Sequence, residues 1–218
     1  MMPDLATAAV IAFSVVLGIW FVIGWQLNRR HGRRLLEWII RGLRASGGQI
    51  TASRLGLSGF QVNVHDAQAP FKSIETTVLL EPREVLLLWI LNHLRGGADY
   101  FVLNGTLRAS PRGEVEVTTK GGSFAKPLLK ELNEKTWTSQ ETDSGLIIAS
   151  RGKQGKKLAE AISPLVEDLR PRLLRLSLSK KAPHLLVNLS LADLDEQSAL
   201  LLLSALRDLA QTVAGGGR

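Results

Sequence analysis

Between Leu5 and Trp25 the chain runs for 21 residues without a charged side chain, LATAAVIAFSVVLGIWFVIGW. As an α-helix this stretch is about 31 Å long, against bilayer hydrocarbon about 30 Å thick. Buried helices of water-soluble proteins are seldom so long and so free of charge. A cleaved signal peptide wants a basic segment ahead of a shorter apolar one, and here only Asp4 precedes the run. Trp20, Phe21 and Trp25 gather near its end, where aromatic rings favour a membrane interface. The expectation is a single-pass transmembrane helix, a signal anchor, over 5–25, behind a short external tail at 1–4.

The flanks set the expected orientation. Arg29, Arg30, Arg33 and Arg34 follow the run closely, and no basic residue precedes it. The Lys/Arg bias then puts the N-terminus outside and everything after residue 25 in the cytoplasm. Within the run, Ser14 with Gly18 and Ala8 with Ala12 are small residues one turn apart, a spacing that can seat a homodimer of helices.

The sequence pI near 10 suggests nucleic acid until the charges are placed. Residues 26–46 hold six arginines and one glutamate, and residues 151–181 hold nine Lys/Arg against Glu160, Glu167 and Asp168. The remainder of the chain is slightly acidic. Residues 151–181 contain no aromatic ring on which a base could stack, so nucleic acid is disfavoured. With no cysteine, disulfides, thiolate metal sites and a cysteine nucleophile are excluded. At 45% hydrophobic and 22% charged residues, the chain is also too apolar for a disordered one.

Past the run, Leu35, Trp38, Ile39, Gly42 and Leu43 keep helical spacing, giving a basic amphipathic juxtamembrane helix over 26–46 that Gly47-Gly48 ends. It either extends the anchor or lies on the membrane surface. Alternation predicts strands at Gln49–Leu55, Phe60–Val64 and Ser73–Leu80. Pro82 and Gly96-Gly97 bracket a helix over 82–95 that is apolar all round and too short to span, which buries it or presses it against membrane or a partner. Tyr100–Ala109 and Glu114–Thr119 read as a hairpin, as do Trp137–Glu141 and Leu146–Ala149. A helix is expected at Phe124–Lys135 and another at Gln154–Leu169, kinked or broken at Pro164. Leu173–Ser177 and Leu185–Leu191 read as strands. A last helix carries its apolar face from Leu200 to Val213, with Asp193 and Glu196 at capping-box spacing. The fold class is α+β: a transmembrane helix, then a mainly antiparallel sheet with three or four packed helices over 47–213, and a flexible tail at 214–218.

Few residues have the spacing that catalysis or metal binding needs. The four histidines, His31, His65, His93 and His184, lack the helical spacing of metal ligands, and no metal or other cofactor is expected. Asp143-Ser144-Gly145 lacks the apolar lead-in of an aspartic protease and reads as a turn. The best anion-binding segment is Arg151, Gly152, Lys153, Gly155, Lys156 and Lys157, where a strand turns into a helix start. It lacks the glycine and hydroxyl of a P-loop. Two functions follow. One is a non-enzymatic module, anchored in the bilayer, that binds a protein partner or lipid at the membrane surface. The other is a membrane-tethered enzyme whose lysines hold a phosphorylated ligand near His65, Asp66 or Asp99.

Overall fold

The computed structural model describes residues 4–120, 130, 137–192 and 194–215. The apolar run and the basic segment behind it form one unbroken helix, α1 (Leu5–Leu43), about 58 Å long. Asp4 starts it, its carboxylate accepting from the otherwise unpaired N–H of Thr7. A 3-10 turn (Arg44–Ser46) and two glycines end it. Gly47 and Gly48 both have positive φ, and a side chain on Gly48 would meet the His65 carbonyl oxygen at 2.2 Å. The reversal from helix to strand therefore requires glycine.

Nine strands follow: β1 (Gln49–Arg54), β2 (Gly59–His65), β3 (Phe71–Leu79), β4 (Tyr100–Leu107), β5 (Glu114–Thr119), β6 (Thr138–Glu141), β7 (Leu146–Arg151), β8 (Leu173–Leu178) and β9 (Leu185–Ser190). They make one antiparallel sheet in the order β1-β2-β3-β4-β9-β8-β5-β7-β6. Register carries the buried face across it. Val62, Thr76, Leu103, Val187, Leu176 and Val117 lie opposite one another in turn on six adjacent strands. Their neighbours along each strand point the other way, as in β4, where Phe101 and Leu103 are buried and Val102 and Asn104 are half-exposed.

Three helices complete the core: α1, α3 (Gly152–Leu169) and α4 (Glu196–Gly215). Leu35, Ile39 and Leu43 of α1 share one apolar cluster with Leu206 and Leu209 of α4 and Ile162 and Val166 of α3. The helices touch in the order α1, α4, α3. Where α1 meets α4, Gly42 lets the backbones close, since a β-carbon there would lie 2.3 Å from Leu203 Cδ1. The short helix α2 (Leu86–Leu94) lies outside this core, with no buried residue. The chain is thus α+β, with a long apolar N-terminal helix, a nine-stranded antiparallel sheet and four helices among the described residues.

The strands fall close to where alternation puts them, but one pairing does not. Tyr100–Ala109 and Glu114–Thr119 are no hairpin: β4 pairs with β3 and β9, and β5 with β7 and β8. The β8–β9 hairpin, apolar on its inward face, slots between them. Helix α2 begins at Leu86 rather than at Pro82, because residues 81–84 form a ledge against α1. Pro164 leaves α3 helical to Leu169. Ser198 N–H is received by Asp195, which supplies the side-chain cap at the start of α4; Asp193 lies outside the described residues. So does the helix expected at Phe124–Lys135, Lys130 apart. Helix α4 runs to Gly215, beyond the expected boundary at 213.

Candidate functional site

A single face of α1 decides how the domain meets the apolar helix. Gly24, Asn28, Gly32, Leu35, Ile39 and Leu43 are its buried residues, at the three- and four-residue steps of one helical face. The last three join the core. The first three meet the ledge and the strand end before it. A β-carbon on Gly24 would lie 2.2 Å from the Arg83 carbonyl oxygen, and one on Gly32 would lie 3.0 Å from Leu80 Cδ1. Gly24 brings two backbones into contact, and Gly32 makes room for the Leu80 side chain.

Between these glycines sits a buried polar lock. Asn28, only 1% exposed, donates from Nδ2 to the Glu81 carbonyl at 2.8 Å and to Glu84 Oε2 at 2.7 Å. It accepts at Oδ1 from the Arg83 guanidinium at 2.9 Å. Ser58, in the β1–β2 turn, donates to the other Glu84 oxygen at 2.5 Å. Arg83 grips both oxygens of Asp99, at 3.0 and 3.1 Å, and the Glu81 N–H adds a third bond to that carboxylate at 2.8 Å. His31 Nε2 lies 2.8 Å from Asp99 Oδ2. One helical turn before Gly24, the Trp20 indole N–H donates to the Arg83 carbonyl at 2.9 Å.

Burial disfavours the charge on Asp99, but the bonds from His31, Arg83 and the Glu81 N–H, with the arginine's own charge, outweigh it and hold the pKa below the usual 3.8. A lock of this kind adds little net free energy when complete and costs heavily when one member is removed. It fixes geometry. Trp20, Asn28 and His31 of α1 can satisfy residues 81–84 and Asp99 in one axial and rotational setting.

Beside the lock, α1 and the β1–β2 hairpin enclose a groove of about 260 Å³. Trp25, Arg29 and Arg33 line one wall, Arg54 and Leu57 the other. The Arg29 guanidinium sits 5.4 Å from the centre of a Trp25 ring, a cation–π contact that holds the charge against the end of the apolar run. Arg30 and Arg34, with Glu37, border a shallower surface along the exposed side of α1. Of the four flanking arginines, Arg29 and Arg33 therefore share a concave site, and the hairpin contributes a third, Arg54. The distance of Arg54 from the apolar run in sequence hides it.

The later basic segment is arranged differently. Gly152, Lys153 and Lys156 border a depression between α3 and the β6–β7 hairpin, together with Glu141 and Glu160. Arg151 instead pairs with Glu114 at 3.3 Å. Gly155 is packed where a β-carbon would lie 2.8 Å from the Glu114 carbonyl oxygen, and Lys157 is exposed outside the depression. Two carboxylates thus face the two lysines. None of His65, Asp66 and Asp99 borders that depression. His65 and Asp66 end β2 at a turn, where Asp66 has a φ of 52°, and Asp99 belongs to the lock. No group of three or more His, Asp or Glu able to hold a metal ion occurs among the described residues.

Sequence reasoning left the lock unseen. Asn28, Ser58 and Glu84 are each unremarkable in isolation and come together only in the fold. One signal was available: Asn28 interrupts a stripe of glycine and aliphatic residues. A polar side chain on such a stripe needs a partner. In comparison with known proteins, no family model and no curated protein matches this chain.

Proposed function

We propose that the protein is a single-pass membrane protein whose α+β domain is a non-enzymatic binding module held at the cytoplasmic surface of the bilayer, with anionic lipid headgroups as the ligand of the arginine groove. The supporting observation is the way one helix serves two surroundings. Its first half carries 18 consecutive residues apolar enough to cross a membrane, none of them buried in the domain, whereas a core helix of a soluble protein would be mostly buried. Its second half is part of the domain's core. The helix passes from one to the other without a break, and Trp20 and Gly24, still inside the apolar run, are already docked on Arg83. A removable leader would not carry part of the fold.

The groove's level follows from this. Trp25 closes the apolar run and also lines the groove, so Arg29, Arg33 and Arg54 lie at headgroup depth when the run spans. Guanidinium groups suit phosphate, binding it through paired N–H donors. The flanking arginines give the orientation, with the domain on the cytoplasmic side.

Because the chain has no cysteine, single cysteines report cleanly. Met2→Cys labels from outside intact cells with an impermeant maleimide, and Lys156→Cys labels only after permeabilisation. The reverse pattern, or loss of the protein to the soluble fraction, overturns the topology. The triple variant Arg29→Gln, Arg33→Gln, Arg54→Gln loses co-purifying anionic lipid relative to Arg30→Gln, Arg34→Gln. Equal lipid in both overturns the groove as the ligand site.

A further inference from the structure

Helix α2 departs from what a helix of its composition does in a water-soluble domain. From Val85 to Leu91 it is uncharged and apolar, VLLLWIL, yet Leu87, Leu88, Ile90, Leu91 and Leu94 are all at least 40% exposed. At 100° per residue these five share one arc of about 160°. The opposite side faces α1: Trp89 stacks on His93 and lies 5.4 Å from Trp20, ring centre to ring centre. So α2 touches the apolar run itself, above the docked half of α1. With nine residues it cannot span.

We infer that α2 is a second membrane-embedded element, lying in the interfacial layer beside the span with its leucine arc in the acyl chains. This rests on the reading of α1 as a membrane anchor. Three observations choose lipid over a protein partner. First, α2 packs through Trp89 on Trp20 of the apolar run, which lipid would otherwise cover, and Trp20 lies five residues before the end of the run. That sets α2 about 7 Å inward of Trp25, within the depth of about 5–10 Å that interfacial helices occupy. Second, the charged residues stand at its ends, Arg83 and Glu84 in the lock and Arg95 exposed past the C-terminus, and the polar Asn92 and His93 lie in its last turn. Third, the β1–β2 turn presents Leu55 and Leu57, 42% and 60% exposed, and its Ser58 is bonded to Glu84 directly ahead of α2. The lock therefore ties two apolar protrusions to α1, α2 at the level of Trp20 and the turn at the level of Asn28. Beside the run, the domain has an apolar base.

The test uses the full chain in phosphatidylcholine/phosphatidylglycerol vesicles, spin-labelled at single cysteines. Leu91→Cys reports on α2, Val10→Cys on the span, and Lys156→Cys on the aqueous domain surface. Collision with oxygen is compared with collision with a water-soluble nickel complex. The expected result is that the labels at 91 and 10 collide more with oxygen and the label at 156 more with nickel. A lipid-like signal at 10 with a nickel-accessible label at 91 overturns the insertion of α2 and leaves the anchor intact. A label at 91 shielded from both reagents means a protein covers the arc, and also overturns it. A nickel-accessible label at 10 overturns the anchor, and the inference with it.

Discussion

At Gly24 helix propensity and close docking pull in opposite directions. Gly24→Ala adds one methyl group to a helix, which in isolation favours alanine by about 1 kcal/mol. In the docked helix the new carbon would lie 2.2 Å from the Arg83 oxygen, 2.5 Å from its carbonyl carbon and 2.7 Å from Glu84 Cα. All three are backbone atoms, so no rotamer relieves the contact. Carbon–oxygen contacts are comfortable from about 3.3 Å, so helix and ledge must part by about 1 Å. Overpacking of this size costs about 2 kcal/mol. Loss of the Trp20 bond to the same carbonyl costs about 1 kcal/mol more. The helix preference is alike in the docked and open states, so docking weakens by about 3 kcal/mol, or about 150-fold in the opening equilibrium. The Glu81 N–H, bonded to Asp99, is the reporter, read by hydrogen exchange on the full chain in detergent. The control is Gly18→Ala, one and a half turns earlier, where nothing lies within 4 Å of the new carbon. Gly24→Ala speeds exchange at 80–84 and Gly18→Ala does not. Equal protection in the two variants would refute the close approach of helix and ledge.

Two further outcomes follow. The Asp99 pKa is lowered in the fold, so its contribution to stability is complete above the usual 3.8 and is lost as pH falls through the folded value; in acid titration followed by exchange at residues 80–84, Asp99→Asn is less stable than the parent at neutral pH, and the gap between them narrows below pH 4. At the other end of the sheet, Gly113→Ala sets a β-carbon 2.6 Å from Gly155 backbone atoms and lowers the melting temperature, with a loss of about 1–3 kcal/mol, whereas Lys153→Gln with Lys156→Gln leaves it within a degree or two of the parent, because both lysines are exposed.

Much of the fold lies on the surface of the sequence. Period-two stretches such as Phe60–Val64 and Leu185–Leu191 are strands because one side of each must be buried, and that requirement is local. Pairing is not local. Ser110-Pro111-Arg112-Gly113 has the composition of a hairpin turn, yet the strands on either side of it are held apart by β8 and β9, contributed from more than fifty residues later. Gly113 has another task there, packing against Gly155. The site divides in the same way. The charge pattern marks Arg29 and Arg33, because topology signals are sequence-local. It says nothing of Arg54, which reaches them through the β1–β2 hairpin. Asp99 invites an acid–base role when read alone, and in the fold it is committed to Arg83, His31 and the Glu81 N–H.

The unbroken course of α1 has a mechanical consequence. A membrane protein with a flexible linker lets its domain wander, and bilayer geometry is lost on it. Here no linker intervenes: from Gly24 to Leu43 the same rod is clamped to the sheet over about 29 Å. A spanning helix answers a thinner bilayer by tilting. Each further 10° of tilt would swing the clamped end sideways by about 5 Å at that length, carrying the whole domain as a lever carries its load. If the run spans as proposed, hydrocarbon thickness would thereby set the angle between the sheet and the membrane surface.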